Sequence, residues 1–302
     1  MFKKKDAIVV GCSHGLHLAE KIATRLGITY SPLEVKKFPD SETYLRFNFN
    51  PKNKIIILVQ SFYGVINDCI IEVLFAAETA RELKAKKVIL VAPYFPYLRQ
   101  DRRFREGECI SLKTIAKNID EDFDMIYVID PHLHREKKLS NIFKIKTNKI
   151  TSVSLISDYI KQLKKANNKI VIGPDEESYK WAGAVAKNIN AGYIILKKHR
   201  KSAYDVSLRL NKNINLKDRF IVIVDDIIST GSTIIETVKL LRKLGGKNFL
   251  VICVHGIFAK NSLAKLRKHK VDVLACNTIP SKVAKIDVSE LISKSISKLF
   301  QK

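Results

Sequence analysis

Short, uninterrupted runs rich in isoleucine and valine recur down the whole chain, and they narrow the folds open to it more than any other feature. They stand at 7–10, 55–59, 88–92, 125–129, 170–172, 193–196, 220–224, 250–254 and 271–275. Nearly all are continuous rather than alternating, as strands are when both faces of a parallel sheet are covered. Between most of them lie segments of helical period. In 67–83, Ile70, Ile71, Leu74, Ala77 and Leu83 fall on one face; in 233–244, Ile234, Ile235, Val238, Leu241 and Leu244 do so, and Gly245 is the stop. Strand then helix, repeated, predicts an α/β fold of mostly parallel sheets flanked by helices. The repetition is long for one sheet. The polar stretch KTNKITS, 146–152, separates two such sets, so the expected domains are 1–147 and 148–302, with a final helix over 288–300 free to pack on the N-terminal half.

Composition removes several classes. The chain is 46% hydrophobic, and no apolar run reaches the roughly 18 residues of a membrane span. The start, MFKKKDAIVVGCSHG, is basic, but its apolar stretch is too short for a signal-peptide core and Asp6 interrupts it. The 5 cysteines are scattered without a CxxC pair, which fits reduced thiols in the cytoplasm better than disulfides or a zinc site. No membrane partner is expected. The charge is the outlier, 54 basic against 30 acidic residues for a net +24. Such a field favours anionic partners. Along the sequence it is spread as lysine, with no basic tail and no aromatic-basic cluster, so it reads as a solvated surface and nucleic acid is not expected as a partner.

The stretch VIVDDIISTGST, 222–233, puts two adjacent carboxylates at the end of an apolar run and a hydroxyl-rich loop after them. Ligands of parallel α/β sheets bind beyond the carboxyl ends of the strands. A loop entering a helix there offers unpaired N–H groups and the positive end of the helix dipole, which suits a phosphate. Gly231 lets backbone approach an anion closely. The aspartates can accept hydrogen bonds from vicinal hydroxyls or hold a divalent cation. A ribose carrying a 5-phosphate satisfies both demands. The plain alternative is a cap from Ser229 or Thr230 beside two turn acids, yet capping does not call for two acids directly after a buried strand.

This stretch resembles the phosphoribosyl-diphosphate loop of the type I phosphoribosyltransferase fold. Further stretches narrow the resemblance to the ribose-phosphate pyrophosphokinases. YFPYLRQDRRFREGE (94–108), FPDSE (38–42), DPHLH (130–134), GPDEES (173–178) and KHR (198–200) are each similar to a motif of that family, in family order. The resemblance covers essentially the whole chain and implies two tandem domains of the type I fold. It also implies transfer of the diphosphoryl group of ATP to ribose 5-phosphate, which gives AMP and phosphoribosyl diphosphate. A phosphoribosyltransferase would share 225–233 but would need neither the ATP segment nor a second domain.

Carried over by resemblance, Asp225 and Asp226 hold the ribose hydroxyls, while Ser229, Thr230, Gly231, Ser232 and Thr233 cradle the 5-phosphate. Ser229 and Ser232 replace a family acid and glycine. Arg99, Gln100 and Asp101 contact ATP. His132 and Asp175 match ligands of Mg2+, although that ion prefers oxygen donors. Lys198 and Arg200 match the catalytic pair that stabilises the transferring group. Phe38, Asp40 and Glu42 match residues that reach the adenine of a neighbouring subunit's ATP, which implies a homo-oligomer, at least a dimer. Ser41 stands where the family usually has glycine, and a positive φ there would strain the turn.

Overall fold

The structure is a computed structural model. It describes residues 2–133, 136, 138–163, 168–200, 206–209 and 216–301, with backbone only at 197–200 and 206–209. The chain divides into two compact units, Met1–Ile150 with Val288–Lys302, and Thr151–Asp287.

In the first unit, β1 (Ala7–Gly11), α1 (Leu16–Leu26), β2 (Thr29–Pro32), β3 (Glu34–Lys37), β4 (Thr43–Arg46) and β5 (Ile55–Val59) come first. They are followed by α2 (Ile66–Glu82), β6 (Lys87–Ala92), α3 (Ser111–Asp122), β7 (Met125–Ile129) and β8 (Lys146–Ile150). The second unit holds α4 (Val153–Gln162), β9 (Lys169–Gly173), α5 (Tyr179–Asn188), β10 (Gly192–Ile195), β11 (Lys197–Arg200) and β12 (Val206–Arg209). Next come β13 (Phe220–Ile228), α6 (Ser232–Lys243), β14 (Asn248–Gly256), α7 (Ser262–Lys268), β15 (Asp272–Cys276) and β16 (Ala284–Ile286). The last helix, α8 (Ser289–Ser297), belongs to the first unit, where it packs on α1.

The two units share one topology. Their sheets run β2-β1-β5-β6-β7-β8 and β10-β9-β13-β14-β15-β16, parallel at every junction. An antiparallel hairpin is inserted at the same point of each, β3–β4 before β5 and β11–β12 before β13. The central strands are buried on both faces, with β1, β5 and β7 covered at every residue. That is why their sequences read as unbroken apolar runs.

Two expectations need correction, and one stretch gains a structural role. The units divide between Ile150 and Thr151, inside the polar stretch 146–152, whose first residues, Lys146–Ile150, form the edge strand β8, paired with β7. An edge strand with one face open to water has no reason to be apolar. In α2 the buried face is Cys69, Ile70, Glu72, Val73, Ala76, Ala77 and Ala80, whereas Ile71 and Leu83 are exposed. A long helix rich in apolar residues offers more than one stripe, and small alanines won the close approach to the sheet. Finally, Asp225 and Asp226 do not end their strand, because β13 continues to Ile228.

Candidate functional site

The second unit shapes its strand ends by mismatched neighbours. On one side β13 pairs with β9 only over 220–223; on the other it pairs with β14 as far as Ile228. The β13–β9 ladder ends at Ile223, and Asp225 and Asp226 lie beyond it. Both are buried. Each spends one oxygen on backbone: Asp226 N–H donates to Asp225 Oδ1 at 3.0 Å, and Ile227 N–H donates to Asp226 Oδ1 at 2.7 Å. Burial drives the Asp225 carboxyl well above the usual carboxylate range, and the charges of Asp226 and Asp175 push it the same way.

The loop then turns into α6. Gly231 is the N-cap with φ 75°, and no side chain caps the helix, so neither Ser229 nor Thr230 serves as a cap. The hydroxyls of Thr230 and Ser232 lie 3.1 Å apart and pair with each other. Amides at the helix start therefore remain as donors for an anion, beside a hydroxyl pair, at the positive end of the dipole. A β-carbon on Gly231 would stand 3.2 Å from Ser262 Cβ, so the loop rests directly on the first turn of α7.

Asp175 follows β9, the neighbour of β13. Its Oδ1 accepts from the amides of Glu177 and Ser178, both at 3.0 Å. Three carboxylates thus share one end of this sheet, and their mutual repulsion calls for a positive group. An oxygen-seeking cation such as magnesium fits that donor set. Among the described residues no three His, Cys, Asp or Glu side chains converge as a ready-made cage.

In the first unit, adjacent strands carry the other expected residues. Arg99, Gln100 and Asp101 follow β6, and His132 follows β7. Arg99 is exposed and His132 is buried. The Gln100 amide braces its own loop, donating to the carbonyls of Arg102 at 3.3 Å and Cys109 at 3.2 Å. Tyr97 holds φ 61°, a conformation an aromatic residue rarely adopts, and its hydroxyl donates to Asn67 Oδ1 at 2.6 Å. A cavity of about 860 Å³ beside α3 has Asp101 in its wall, which Lys113, Lys117, Lys144, Asp120, Glu121 and Glu136 also line. Phe38, Asp40 and Glu42 all project from the β3–β4 tip and are exposed.

A family model described as the N-terminal domain of ribose phosphate pyrophosphokinase matches residues 7–121, and one described as the phosphoribosyl transferase domain matches 138–292. The ribose-phosphate pyrophosphokinase of Pyrococcus furiosus is 35% identical over 281 residues, covering 93% of this chain and 97% of that protein. The chain belongs to the ribose-phosphate pyrophosphokinase family. A second member of that family, from Sulfurisphaera tokodaii, is 32% identical over 296 residues, with 96% of this chain and all of that one covered. The crystal structure of phosphoribosylpyrophosphate synthetase from Mycobacterium smegmatis superposes with a TM-score of 0.86 at 22% identity, over 98% of this chain and 99% of that one. It has the same fold, two phosphoribosyltransferase-type domains in tandem.

Against this family background, the structure brings Asp175, Asp225, Asp226 and residues 229–233 to one end of the second sheet. It places Arg99–Asp101 and His132 at one end of the first. Lys198 and Arg200 lie on β11, paired through the backbone with Leu208 and Val206; their side chains fall outside the described atoms, and His134 lies outside the described residues. Sequence reasoning missed the segment that follows β14. Phe258, Lys260 and Asn261 all have positive φ, Phe258 N–H donates to Ile228 O at 3.0 Å, and Ser262 underlies Gly231. The signal was present: HGIF follows an apolar run, at the strand end where ligands of such sheets bind.

Proposed function

We propose that this chain carries out its family's reaction with the residues assembled above. The 1-hydroxyl oxygen of ribose 5-phosphate attacks the β-phosphorus of ATP, the bond from that phosphorus to the α-phosphate oxygen breaks, and AMP leaves. The observation that carries the reading is the sugar-phosphate loop: an uncapped helix start, a pair of hydroxyls and Gly231 at φ 75° beside two buried aspartates. Phosphate and ribose hydroxyls need those two surfaces side by side.

The α6 amides with Thr230, Ser232 and Thr233 bind the 5-phosphate, and Ser229 supports the loop. Asp225 and Asp226 accept from the ribose hydroxyls, which fixes the attacking oxygen. Arg99 grips the ATP phosphates with its planar fork; Gln100 shapes the loop that presents Arg99, and Asp101 completes that segment. His132 and Asp175 are assigned to magnesium, which when bound neutralises phosphate charge and orients the diphosphate. Lys198 and Arg200 stabilise charge that develops on the transferring group. Phe38, Asp40 and Glu42, exposed on a hairpin tip, reach the adenine bound by a second copy in a homo-oligomer. The five cysteines are free thiols, which supports a cytoplasmic setting.

Phosphorus NMR of the purified protein with ATP, magnesium and ribose 5-phosphate tests the reading. AMP and phosphoribosyl diphosphate should appear together, and only when all three are present. ATP left intact would reject it.

A further inference from the structure

Lysines that look scattered in the sequence gather at one edge of the second unit. Phe220 stands opposite Lys169 on one side and Asn248 on the other, and Asp272 stands opposite Leu250. Lys169 is therefore level with Phe220, Arg219 and Lys247 stand one residue before that register, and Lys270 stands two residues before Asp272, so all four lie at the starts of strands adjacent in the order β9-β13-β14-β15. Lys243 ends α6 and Lys268 ends α7, and both helices return the chain to this edge. Lys243, Lys247, Lys268 and Lys270 are exposed, while Lys169 and Arg219 are half-buried. The acids nearby are Asp218 and Asp272, both exposed.

Two readings compete. Cations in last helical turns complement the helix dipole, and that alone could place Lys243 and Lys268. It does not account for the row at the strand starts. At strand starts of the first unit Lys87 is held by Asp124 at 2.6 Å and Lys86 lies over the Phe2 ring at 5.9 Å, while Lys54 and Lys146 form no ion pair among the described residues. Among the described residues, none of the six cations in the second unit forms an ion pair. The row is unpaired charge at the end of the sheet opposite Asp225 and the phosphate loop.

We propose that this edge binds the phosphate backbone of nucleic acid, without reading its sequence. Neighbouring strands lie about 4.8 Å apart, so four strand starts span about 14 Å. Each of the four strand-start cations can neutralise one phosphate of a strand laid along this edge, which gives about four contacts. A membrane surface fits less well. Interfacial binding needs large apolar side chains to insert, and the exposed large apolar residues of this unit, Tyr179 and Tyr193, face each other elsewhere, with ring centroids 6.3 Å apart. The surface does not involve the residues of the proposed reaction and stands independently of that reading.

Fluorescence anisotropy of labelled single-stranded RNA, titrated with the full chain across a salt series, tests this. Four phosphate contacts predict a slope of log affinity against log salt near about −2.8, so affinity falls about 50-fold between about 50 and 200 mM salt. The variant carrying Lys243→Gln, Lys247→Gln, Lys268→Gln and Lys270→Gln should lose most of that slope. A control with Lys21→Gln, Lys282→Gln, Lys285→Gln and Lys294→Gln has the same net charge and should keep it. Acetylation footprinting of the unmutated chain is independent of any folding defect: RNA should shield Lys243, Lys247, Lys268 and Lys270 from reagent. Equal losses in the two variants, no RNA binding at about 50 mM salt, unshielded lysines, or binding to phosphatidylserine vesicles in place of RNA would each overturn the proposal.

Discussion

Ser41 sits at the tip of the β3–β4 hairpin with φ 75°. The turn is closed by Ser41 N–H to Phe38 O at 2.8 Å and by Phe38 N–H to Glu42 O at 2.9 Å. A side chain in that left-handed region costs about 1–2 kcal/mol, and glycine returns part of this as chain entropy. Ser41→Gly should therefore stabilise the fold by about 0.5–1 kcal/mol, seen as a Tm about 2 °C higher. Gly231 presents the converse. Gly231→Ala would force a β-carbon into positive φ and against Ser262. We expect KM for ribose 5-phosphate to rise at least about tenfold, which is about 1.4 kcal/mol, while KM for ATP moves little. Lys198→Ala should collapse kcat with ATP affinity nearly unchanged, as fits a group acting on the transition state; parallel losses would make Lys198 a binding group. Among the five cysteines only Cys109 is exposed, and burial first, then Glu72 and Asp68, pushes the Cys69 thiol up to about 12. Iodoacetamide on the native protein should thus label Cys109 alone by mass spectrometry, since thiolate and access govern the reaction.

At the scale of elements, Asp124, between α3 and β7, ties β6 to α2. Its carboxylate accepts from Val88 N–H at 2.8 Å at the start of β6, pairs with Lys87 at 2.6 Å, and pairs with Arg81 of α2 at 2.8 Å. Partial burial raises its pKa, but the hydrogen bonds of Lys87 and Val88 and the charge of Arg81 outweigh this and hold it below the usual range. A carboxyl with a depressed folded pKa stabilises above its unfolded value, near about 3.9, and loses that contribution as pH falls through the folded value. Asp124→Asn should cost about 1 kcal/mol at neutral pH, allowing for solvent screening. In urea unfolding the gap from the unmutated chain should close as pH drops below about 4. The central strands were legible in sequence because burial on both faces leaves no room for polar residues. Strands β2, β3, β4 and β8 were not, since each keeps exposed or half-exposed positions, and their polar sequences look like loops.

For the whole molecule, the chain's return matters most. After completing the second unit it adds α8 to the first, where Val288, Ile292 and Ile296 are fully buried and Arg25 Nε donates to Ser289 Oγ at 3.1 Å. Removing 288–302 should expose that face of α1 and loosen residues 1–150, not the unit to which the helix is joined in sequence. Limited proteolysis should cut the truncated chain first within 1–150. Cuts confined to 151–287 would contradict this.

Sequence alone determined the class of fold, two α/β sets with parallel sheets, because strand burial and helical period are local properties of composition and order. It also marked the sugar-phosphate loop, since two acids, hydroxyls and a glycine at a strand end are chemistry written in consecutive residues. Tertiary structure decided what depends on register between distant segments. It extended β13 past β9 so that Asp225 lies within reach of the charge of Asp175, which follows the neighbouring strand. It seated Gly231 on Ser262, turned a polar stretch into β8 and sent α8 back to the first unit. It also aligned Lys169, Arg219, Lys247 and Lys270, some hundred positions apart end to end in sequence, along one edge. No local pattern contains such information, because strand pairing joins residues whose separation along the chain carries no signal of their contact.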